Sequence, residues 1–188
     1  MFLIKKLLFN QNDVELEFRT ILIHDVNQTY VDGLKNEKKY LLNIPNDVTL
    51  SSQRKYINEI ITSKNNTICG LFKSNELIGT AGIQLTKQNS ENINYATIGI
   101  FIFNPNYRGI GLGKTLVWAS VILINKTMKI KLYRAGMEKT NLPSLNSFLS
   151  CGFKSISNNK NYNVKLNFDY LIKPNQISGT KFKKDKNF

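Results

Sequence analysis

The stretch Asn104-Pro105-Asn106-Tyr107-Arg108-Gly109-Ile110-Gly111-Leu112-Gly113-Lys114-Thr115 decides how the rest of the chain is interpreted. It lies between a strand-like run, residues 96–103, and a helix-like run, residues 116–125. Three glycines at alternate positions, with a cation on either side, allow backbone N–H groups to converge where a helix begins. Those N–H groups have no carbonyl partners and sit at the positive end of the helix dipole. The pattern therefore predicts an anion-binding turn and a ligand that carries phosphate.

Spacing distinguishes this turn from two familiar phosphate-binding loops. A Walker A loop requires glycine five positions before its Gly-Lys-Thr, and that position is Arg108. A dinucleotide-binding loop requires Gly-x-Gly-x-x-Gly early in a βαβ unit, whereas here the third glycine comes one residue early and in the second half of the chain. What remains is Arg-x-x-Gly-x-Gly, formed by Arg108, Gly111 and Gly113. A glycine-rich turn without a ligand stays as the alternative.

Composition is typical of one globular domain. Of the 188 residues, 41% are hydrophobic and 21% are charged, and the net charge is +13. Such basicity raises the expectation of nucleic acid or acidic membranes as partners, but the lysines are scattered apart from a run at residues 181–186. We interpret most of the charge as solvated surface and part of it as attracting an anionic substrate, so nucleic acid is not the expected partner.

Metal and membrane chemistry are not expected either. Cys69 and Cys151 lie far apart and the single histidine, His24, cannot form a cluster, so we predict no metal site and two buried thiols. No run approaches the 18 apolar residues of a membrane span, and lysines interrupt the apolar residues 1–9 too early for a signal sequence. We therefore expect a cytoplasmic protein.

Apolar periodicity predicts an alternation of strands and helices. The predicted order is a first strand at 14–26, a short helix through residue 34 and a helix at 53–62. Three antiparallel strands follow at 67–72, 77–85 and 95–103, then the loop helix, a strand at 130–137, a helix from Asn141 and a last strand at 164–172. This order indicates an α/β fold with one mixed sheet covered by helices.

A second motif extends the pattern beyond the loop. Asn141-x-x-Ser144-x-x-x-Phe148-x-x-x-Gly152-Phe153, together with Arg108-x-x-Gly111-x-Gly113, resembles the GCN5-related N-acetyltransferase (GNAT) family across about residues 67–153. The resemblance implies a single-domain GNAT fold, a mixed central sheet of about six to seven strands with helices on both faces. We expect an acetyltransferase domain over residues 1–173 and a basic, loosely held tail over 174–188.

The resemblance also implies acetyl-CoA as cosubstrate and direct acetyl transfer to a primary amine. Loop amides would hold the pyrophosphate, with charge from Arg108 and Lys114. The strand ending near Phe103 would separate from its neighbour, so that its backbone groups pair with the pantetheine arm and polarise the thioester carbonyl. The implied cofactor-binding residues are Phe101, Ile102, Phe103, Arg108, Gly109, Ile110, Gly111, Leu112, Gly113, Lys114, Asn141 and Asn146, with a plain helix cap as the alternative role of Asn141.

The sequence departs from the family where proton transfer is expected. Phe148 stands where relatives often carry a tyrosine acid, and Thr97 stands where many carry a glutamate. Neither usual catalytic residue can therefore be assigned by resemblance. Replacement candidates are Glu138, Tyr95 and Thr97 as catalytic residues, and Tyr40 and His24 on the substrate side.

The first third of the chain bears on the acceptor. Tyr40-Leu41 followed by Thr49-Leu50-x-x-Gln53-x-x-Tyr56-Ile57 is similar to bacterial GNAT members that acetylate nucleotide-linked amino sugars, and to those acting on ribosomal protein N-termini. The leading hypothesis is acetylation of a nucleotide-linked amino sugar in surface polysaccharide synthesis. The alternatives are acetylation of a protein or peptide N-terminus, and a catalytically inactive module that binds CoA or nucleic acid. A homodimer is an alternative to a monomer.

Overall fold

A single mixed sheet organises the molecule. The computed structural model describes residues 5–37, 47–88, 93–156 and 161–184, and within them it contains nine strands and four α-helices. The strands are β1 (Lys5–Gln11), β2 (Val14–Thr20), β3 (Asn66–Lys73), β4 (Glu76–Gln88), β5 (Ile93–Phe101), β6 (Leu132–Glu138), β7 (Lys154–Ile156), β8 (Asn161–Asn167) and β9 (Ile177–Lys184). The helices are α1 (Gln28–Asn36), α2 (Leu50–Thr62), α3 (Leu112–Met128) and α4 (Leu142–Leu149).

The strand order across the sheet is β7-β8-β6-β5-β4-β3-β2-β1-β9. Strands β1 to β5 run antiparallel to their neighbours, β6 joins β5 in parallel, and β8 and β7 continue antiparallel. The parallel pair is connected through α3, as a parallel connection requires. The prediction of an α/β fold with one mixed sheet is confirmed, although the sheet has nine strands instead of six or seven.

Helices cover the two faces of the sheet over different areas, as predicted. The larger core lies between the sheet and α3 with α4, around Leu116, Ile98 and Tyr133. A smaller core lies on the other face, where α1 and α2 pack Val31 and Ile57 against the β3 region. Further across this second face, Gln84, Thr97, Arg134 and Lys165 belong to neither core, and we call this part of β4, β5, β6 and β8 the open face.

Both ends of the described chain differ from the sequence prediction. A strand, β1, precedes the predicted first strand, which itself ends at Thr20. The tail predicted to be loosely held from residue 174 instead forms β9 over Ile177–Lys184 and pairs with β1 at the edge of the sheet. Pairing with β9 satisfies backbone groups at the edge of the sheet, and the sequence pattern does not reveal this pairing.

Side chains cap the starts of α1 and α2. Asn27 caps α1, accepting from the Tyr30 N–H at 3.0 Å, and Thr49 caps α2, accepting from the Ser52 N–H at 3.1 Å. These side chains satisfy N–H groups that a helix leaves without partners. No helix of the described residues combines the length and the apolar character needed to cross a bilayer.

Candidate functional site

The glycine loop adopts the conformation that its sequence predicts. Gly109 and Gly111 have φ angles of +77° and +89°, in the left-handed region that a side chain disfavours. Gly111 is the N-cap of α3, and the first helical bond runs from the Thr115 N–H to the Gly111 carbonyl at 3.3 Å. The N–H groups of residues 112–114 therefore have no carbonyl within the helix to which they could donate. Among the described residues no other backbone acceptor engages them.

A buried glutamine of β1 braces this loop from below. Gln11 Nε2 donates to the carbonyl oxygen of Ile110 at 3.3 Å, and Thr115 Oγ1 donates to Gln11 Oε1 at 2.6 Å. Gln11 is 4% exposed and Thr115 is fully buried. The loop is thus tied to the sheet through one side-chain amide, a contact that sequence reasoning missed because glutamine carries no periodic signal.

A second brace holds the start of the loop. Glu76, the first residue of β4, accepts from Asn104 Nδ2 at 3.3 Å and from the Tyr107 hydroxyl at 3.1 Å. Both oxygens of the Glu76 carboxylate are therefore used. The loop is fixed at its two ends before any ligand binds, which reduces the entropy lost on binding.

The open helix start faces a cleft of about 720 Å³. Ten of the twelve residues predicted to bind the cofactor line it: Phe101, Ile102, Arg108, Gly109, Gly111, Leu112, Gly113, Lys114, Asn141 and Asn146. Three of the seven other lining residues, Pro143, Ser144 and Ser147, belong to α4. The fold thus brings together, in one cavity wall, predicted residues that are up to 45 positions apart in the sequence.

The other two predicted cofactor residues do not line the cleft. Phe103 is 2% exposed and packs its ring edge-on to Tyr30 of α1, with the centroids 5.4 Å apart. Its side chain therefore belongs to the smaller core, and the predicted contact with the cofactor would be made by its backbone groups. Ile110 points its side chain outward, 52% exposed, and contributes its carbonyl to the Gln11 brace.

The two cations of the loop have different surroundings. Arg108 donates from Nη1 to Glu37 at 2.7 Å and from Nε to the Ile102 carbonyl at 2.9 Å, so much of its guanidinium is already engaged. Glu37, which caps the C-terminus of α1, also lines the cleft and was not predicted. No carboxylate of the described residues forms an ion pair with Lys114. Lys114 is therefore the cation available to an anion in the cleft.

Helix α4 approaches the glycine loop closely. A Cβ at Gly113 would lie 2.6 Å from Ser147 Oγ, so any other residue would require the Ser147 hydroxyl to move. Asn141 caps α4, accepting from the Ser144 N–H at 3.2 Å through Oδ1, which leaves its Nδ2 group as the donor on the cleft side. The cap and the cleft-lining role of Asn141 therefore coexist.

Strands β5 and β6 separate beside the cleft, as predicted. Their parallel pairing covers Tyr95↔Leu132, Ala96↔Tyr133 and Thr97↔Arg134, although β5 continues to Phe101 and β6 to Glu138. Beyond Thr97 the facing backbone groups of the two strands are not paired with each other. An extended, amide-bearing ligand could pair with them.

The three candidate catalytic residues share the open face of the sheet. Tyr95 and Thr97 are two residues apart on β5 and therefore project to the same face. Thr97 pairs with Arg134 of β6, and Glu138, four residues beyond Arg134, lies on that face too. The Asn141 N–H donates to the Glu138 carbonyl at 3.0 Å, so Glu138 directly precedes the turn that enters the cleft. Phe148 is 1% exposed and packs edge-on to Phe153, which confirms that it supplies no proton donor.

The remaining candidates lie elsewhere. The His24 side chain is 76% exposed beside Asp25, on a turn between β2 and α1, and it does not line the cleft. Tyr40 lies outside the described residues. Burial raises the pKa of the Cys69 and Cys151 thiols to about 12. Within the described residues no three metal-ligating side chains come together.

Comparison with known proteins places the chain. The model of the acetyltransferase (GNAT) domain matches residues 15–154. Mycobacterium smegmatis RimJ, solved with CoA-disulfide, is 12% identical with a TM-score of 0.71, over 88% of each chain. RimL, a ribosomal L7/L12 alpha-N-protein acetyltransferase solved with coenzyme A, is 17% identical with a TM-score of 0.71, over 87% of this chain and 99% of RimL.

A third solved structure has a different acceptor. Spermidine N-acetyltransferase from Vibrio cholerae, solved with CoA and spermine, is 15% identical with a TM-score of 0.67, over 82% of this chain and 96% of the enzyme. At these identities the three structures show a shared fold. A search of curated proteins returned no match. Because the family model covers most of the chain, and the fold and the helix-start loop agree with it, the protein belongs to the GNAT family of acetyltransferases.

Proposed function

We propose that this acetyltransferase uses acetyl-CoA to acetylate the primary amine of a nucleotide-linked amino sugar. One observation supports the proposal: the pairing of β5 with β6 ends at Thr97, on the open face, and β5 then continues to Phe101, which lines the cleft at the glycine loop. A donor in the cleft and an acceptor on the open face would then meet at one opening. The cytoplasm remains the predicted location.

The cleft residues suit the diphosphate and amide groups of acetyl-CoA. The N–H groups of residues 112–114 and the ammonium of Lys114 would hold the diphosphate, and Asn141 Nδ2 would contact the cofactor's polar arm. Bound acetyl-CoA supplies an activated acetyl thioester. Unpaired backbone groups of β5 beyond Thr97 would orient its pantetheine amides and polarise the thioester carbonyl.

The open face suits a hydroxyl-rich ring. Its floor is bare at Gly82 and Gly99, where a Cβ would meet no atom within 4 Å. Polar side chains around this floor include Gln84, Thr97 and Asn163. The glycines would let a sugar ring approach the sheet closely, and the polar side chains around them could form hydrogen bonds to its hydroxyl groups.

Glu138 is the proposed proton acceptor. On the open face of β4, β5, β6, β7 and β8 it is the only carboxylate among the described residues, and it ends β6 at the opening to the cleft. An ammonium must lose a proton before its nitrogen can attack, and a half-buried carboxylate can take it directly or through water. Thr97, in the position often held by glutamate, can orient such a water through its hydroxyl.

A panel of amines tests the acceptor. The initial rate of CoA release would be measured with an amino sugar linked to a nucleoside diphosphate, the free amino sugar, an N-terminal peptide and spermidine. We expect the nucleotide-linked sugar to give the highest kcat/KM. Acetylation of the peptide alone would remove the sugar proposal, and binding of acetyl-CoA without transfer to any amine would favour the inactive module.

A protein N-terminus is the second candidate. One of the similar solved structures, RimL, is described as a ribosomal L7/L12 alpha-N-protein acetyltransferase. The similarity reports the fold alone, so it supports this candidate only as an alternative. The panel separates the two acceptors directly because both carry a primary amine.

A further inference from the structure

Three cations form a row on the open face of the sheet. Register places Arg134 of β6 opposite Lys165 of β8, and Lys165 opposite Lys154 of β7. Directly opposed residues project to the same face, and all three side chains are exposed. Strands lie about 4.8 Å apart, so the row spans about 10 Å. We call Arg134, Lys165 and Lys154 the cation row.

The cation row has no acidic counterpart in the described structure. None of the ion pairs among the described residues includes any of its members. Glu138, the one carboxylate that the described strands place on this face, lies four residues beyond Arg134, about 13 Å along the strand. Like charges placed opposite each other on a sheet reduce stability. The arrangement is therefore better explained by an anionic ligand than by folding.

Aromatic rings hold both ends of the row in place. The Arg134 guanidinium lies over the ring of Tyr95, 4.1 Å from its centroid, and the Lys154 ammonium lies 5.6 Å from the ring centroid of Tyr170. A guanidinium stacked in this way keeps its N–H groups free at its edge, in the planar geometry that matches phosphate oxygens. Tyr95 thus acts as a positioning residue for Arg134.

The row begins where acetyl transfer would take place. Arg134 is in the last pair of β6 with β5, at Thr97, before the strands separate. Gly99 and Gly136 follow on the same face, two residues or about 7 Å further along. A sugar ring above these glycines would present its amine to the opening, and its anomeric phosphate would then lie close to Arg134.

We propose that the cation row binds the phosphate groups of the acceptor, so that the acceptor is a phosphate-linked amino sugar. This inference rests on the proposed function and names the residues that would recognise the phosphate groups of its substrate class. It also disfavours a polyamine, because an acceptor with several ammonium groups would be repelled by three unpaired cations. Phosphate recognition by the row adds charge-assisted hydrogen bonds that a neutral sugar cannot make.

Binding of uridine diphosphate to the CoA-saturated enzyme tests the row. Saturating CoA fills the cleft, so that uridine diphosphate cannot be captured there. The test variants are Arg134→Ala and Lys165→Ala, and the control is Lys181→Ala, which removes the same charge from an exposed position on β9 at the opposite edge of the sheet. We expect each test variant to weaken binding about 3- to 10-fold and the control to change it by less than about 2-fold.

The outcomes distinguish failure of this inference from failure of the proposed function. No binding of uridine diphosphate to the wild type, or equal losses in the test and control variants, would overturn the row as a specific site. Acetyl-CoA affinity, measured on each variant, should stay unchanged and reports folding and the cofactor cleft separately. If the enzyme fails to bind acetyl-CoA at all, the proposed function fails independently of the row.

Acceptor kinetics provide the second measurement. With a nucleoside-diphosphate amino sugar, Arg134→Ala should raise KM more than it lowers kcat, and with the free amino sugar the rise in KM should be smaller. The amino-sugar 1-phosphate separates the two phosphate sources: full sensitivity to Lys165→Ala with this compound would show that one phosphate suffices. An acidic peptide whose acetylation depends on the row, with no sugar turnover, would refute the inference in favour of a protein acceptor.

Discussion

The contact of Gln11 with Thr115 gives the sharpest test of how the loop is held. Both side chains are buried, and Thr115 Oγ1 donates to Gln11 Oε1 at 2.6 Å. Leaving one member of a buried hydrogen-bonded pair without a partner costs about 1–3 kcal/mol, whereas replacing both by apolar groups of similar shape can be nearly neutral. A double-mutant cycle with Gln11→Leu and Thr115→Val separates these cases.

The two single variants should not be equal. In Thr115→Val, Gln11 Oε1 loses its buried donor, so we expect a loss of about 2 kcal/mol in the free energy of unfolding. In Gln11→Leu, the Thr115 hydroxyl keeps its 3.4 Å contact with the Gly111 carbonyl, and the exposed Ile110 can turn its carbonyl to water. The expected loss there is about 1 kcal/mol. The double variant should be more stable than the sum predicts, by about 1–2 kcal/mol.

Urea denaturation measures the cycle, and titration calorimetry with acetyl-CoA measures its effect on binding. Gln11→Leu should weaken acetyl-CoA binding about 3- to 10-fold, because the loop amides are no longer held before the ligand arrives. Additive stability losses would refute the direct contact. Unchanged acetyl-CoA affinity in a folded Gln11→Leu variant would refute the bracing of the loop.

Three further predictions concern the glycine loop, the cleft and a buried thiol. Gly111→Val should weaken acetyl-CoA binding at least about 10-fold by calorimetry, since φ is +89° and a Cβ would lie 2.5 Å from Gln176 Nε2; near wild-type affinity would count against the loop geometry. Glu37→Gln should tighten acetyl-CoA binding about 2- to 5-fold, because it removes a negative charge from the cleft and leaves the charge of Arg108 without a counterion, and weaker binding would contradict this. Burial raises the pKa of Cys151 to about 12, so a thiol reagent at pH 8 should label the native protein no faster than it unfolds; rapid labelling would show that Cys151 is accessible.

Local patterns in the sequence predicted the loop and its helix. The Arg108, Gly111 and Gly113 spacing marks a turn that only certain φ angles allow, and Asn141 marks the start of α4. Both signals are short-range, because the conformation depends on the residues that carry it. Together with the resemblance to the GNAT family, these signals are why ten residues that line the cleft could be named before the fold was known.

Long-range contacts were missed for a physical reason. Gln11 reaches the loop from a strand 99 residues earlier than Ile110, and Glu37 reaches Arg108 across 71 residues. Strands β1 and β9 were missed because their lysines resemble a solvated segment, although Leu7 and Phe9 alternate into the core. The cation row likewise exists only through strand register, since Arg134, Lys154 and Lys165 are scattered in sequence.

The central claim is that backbone amides at the start of α3 hold the diphosphate of coenzyme A. The most direct measurement is a set of 1H–15N spectra of the labelled protein, titrated separately with CoA and with pantetheine, which lacks the diphosphate. We predict that the amide resonances of Gly111, Gly113 and Lys114 shift strongly with CoA and hardly with pantetheine. If CoA binds while these resonances stay unchanged, or if pantetheine shifts them equally, the diphosphate is held elsewhere and the account is wrong.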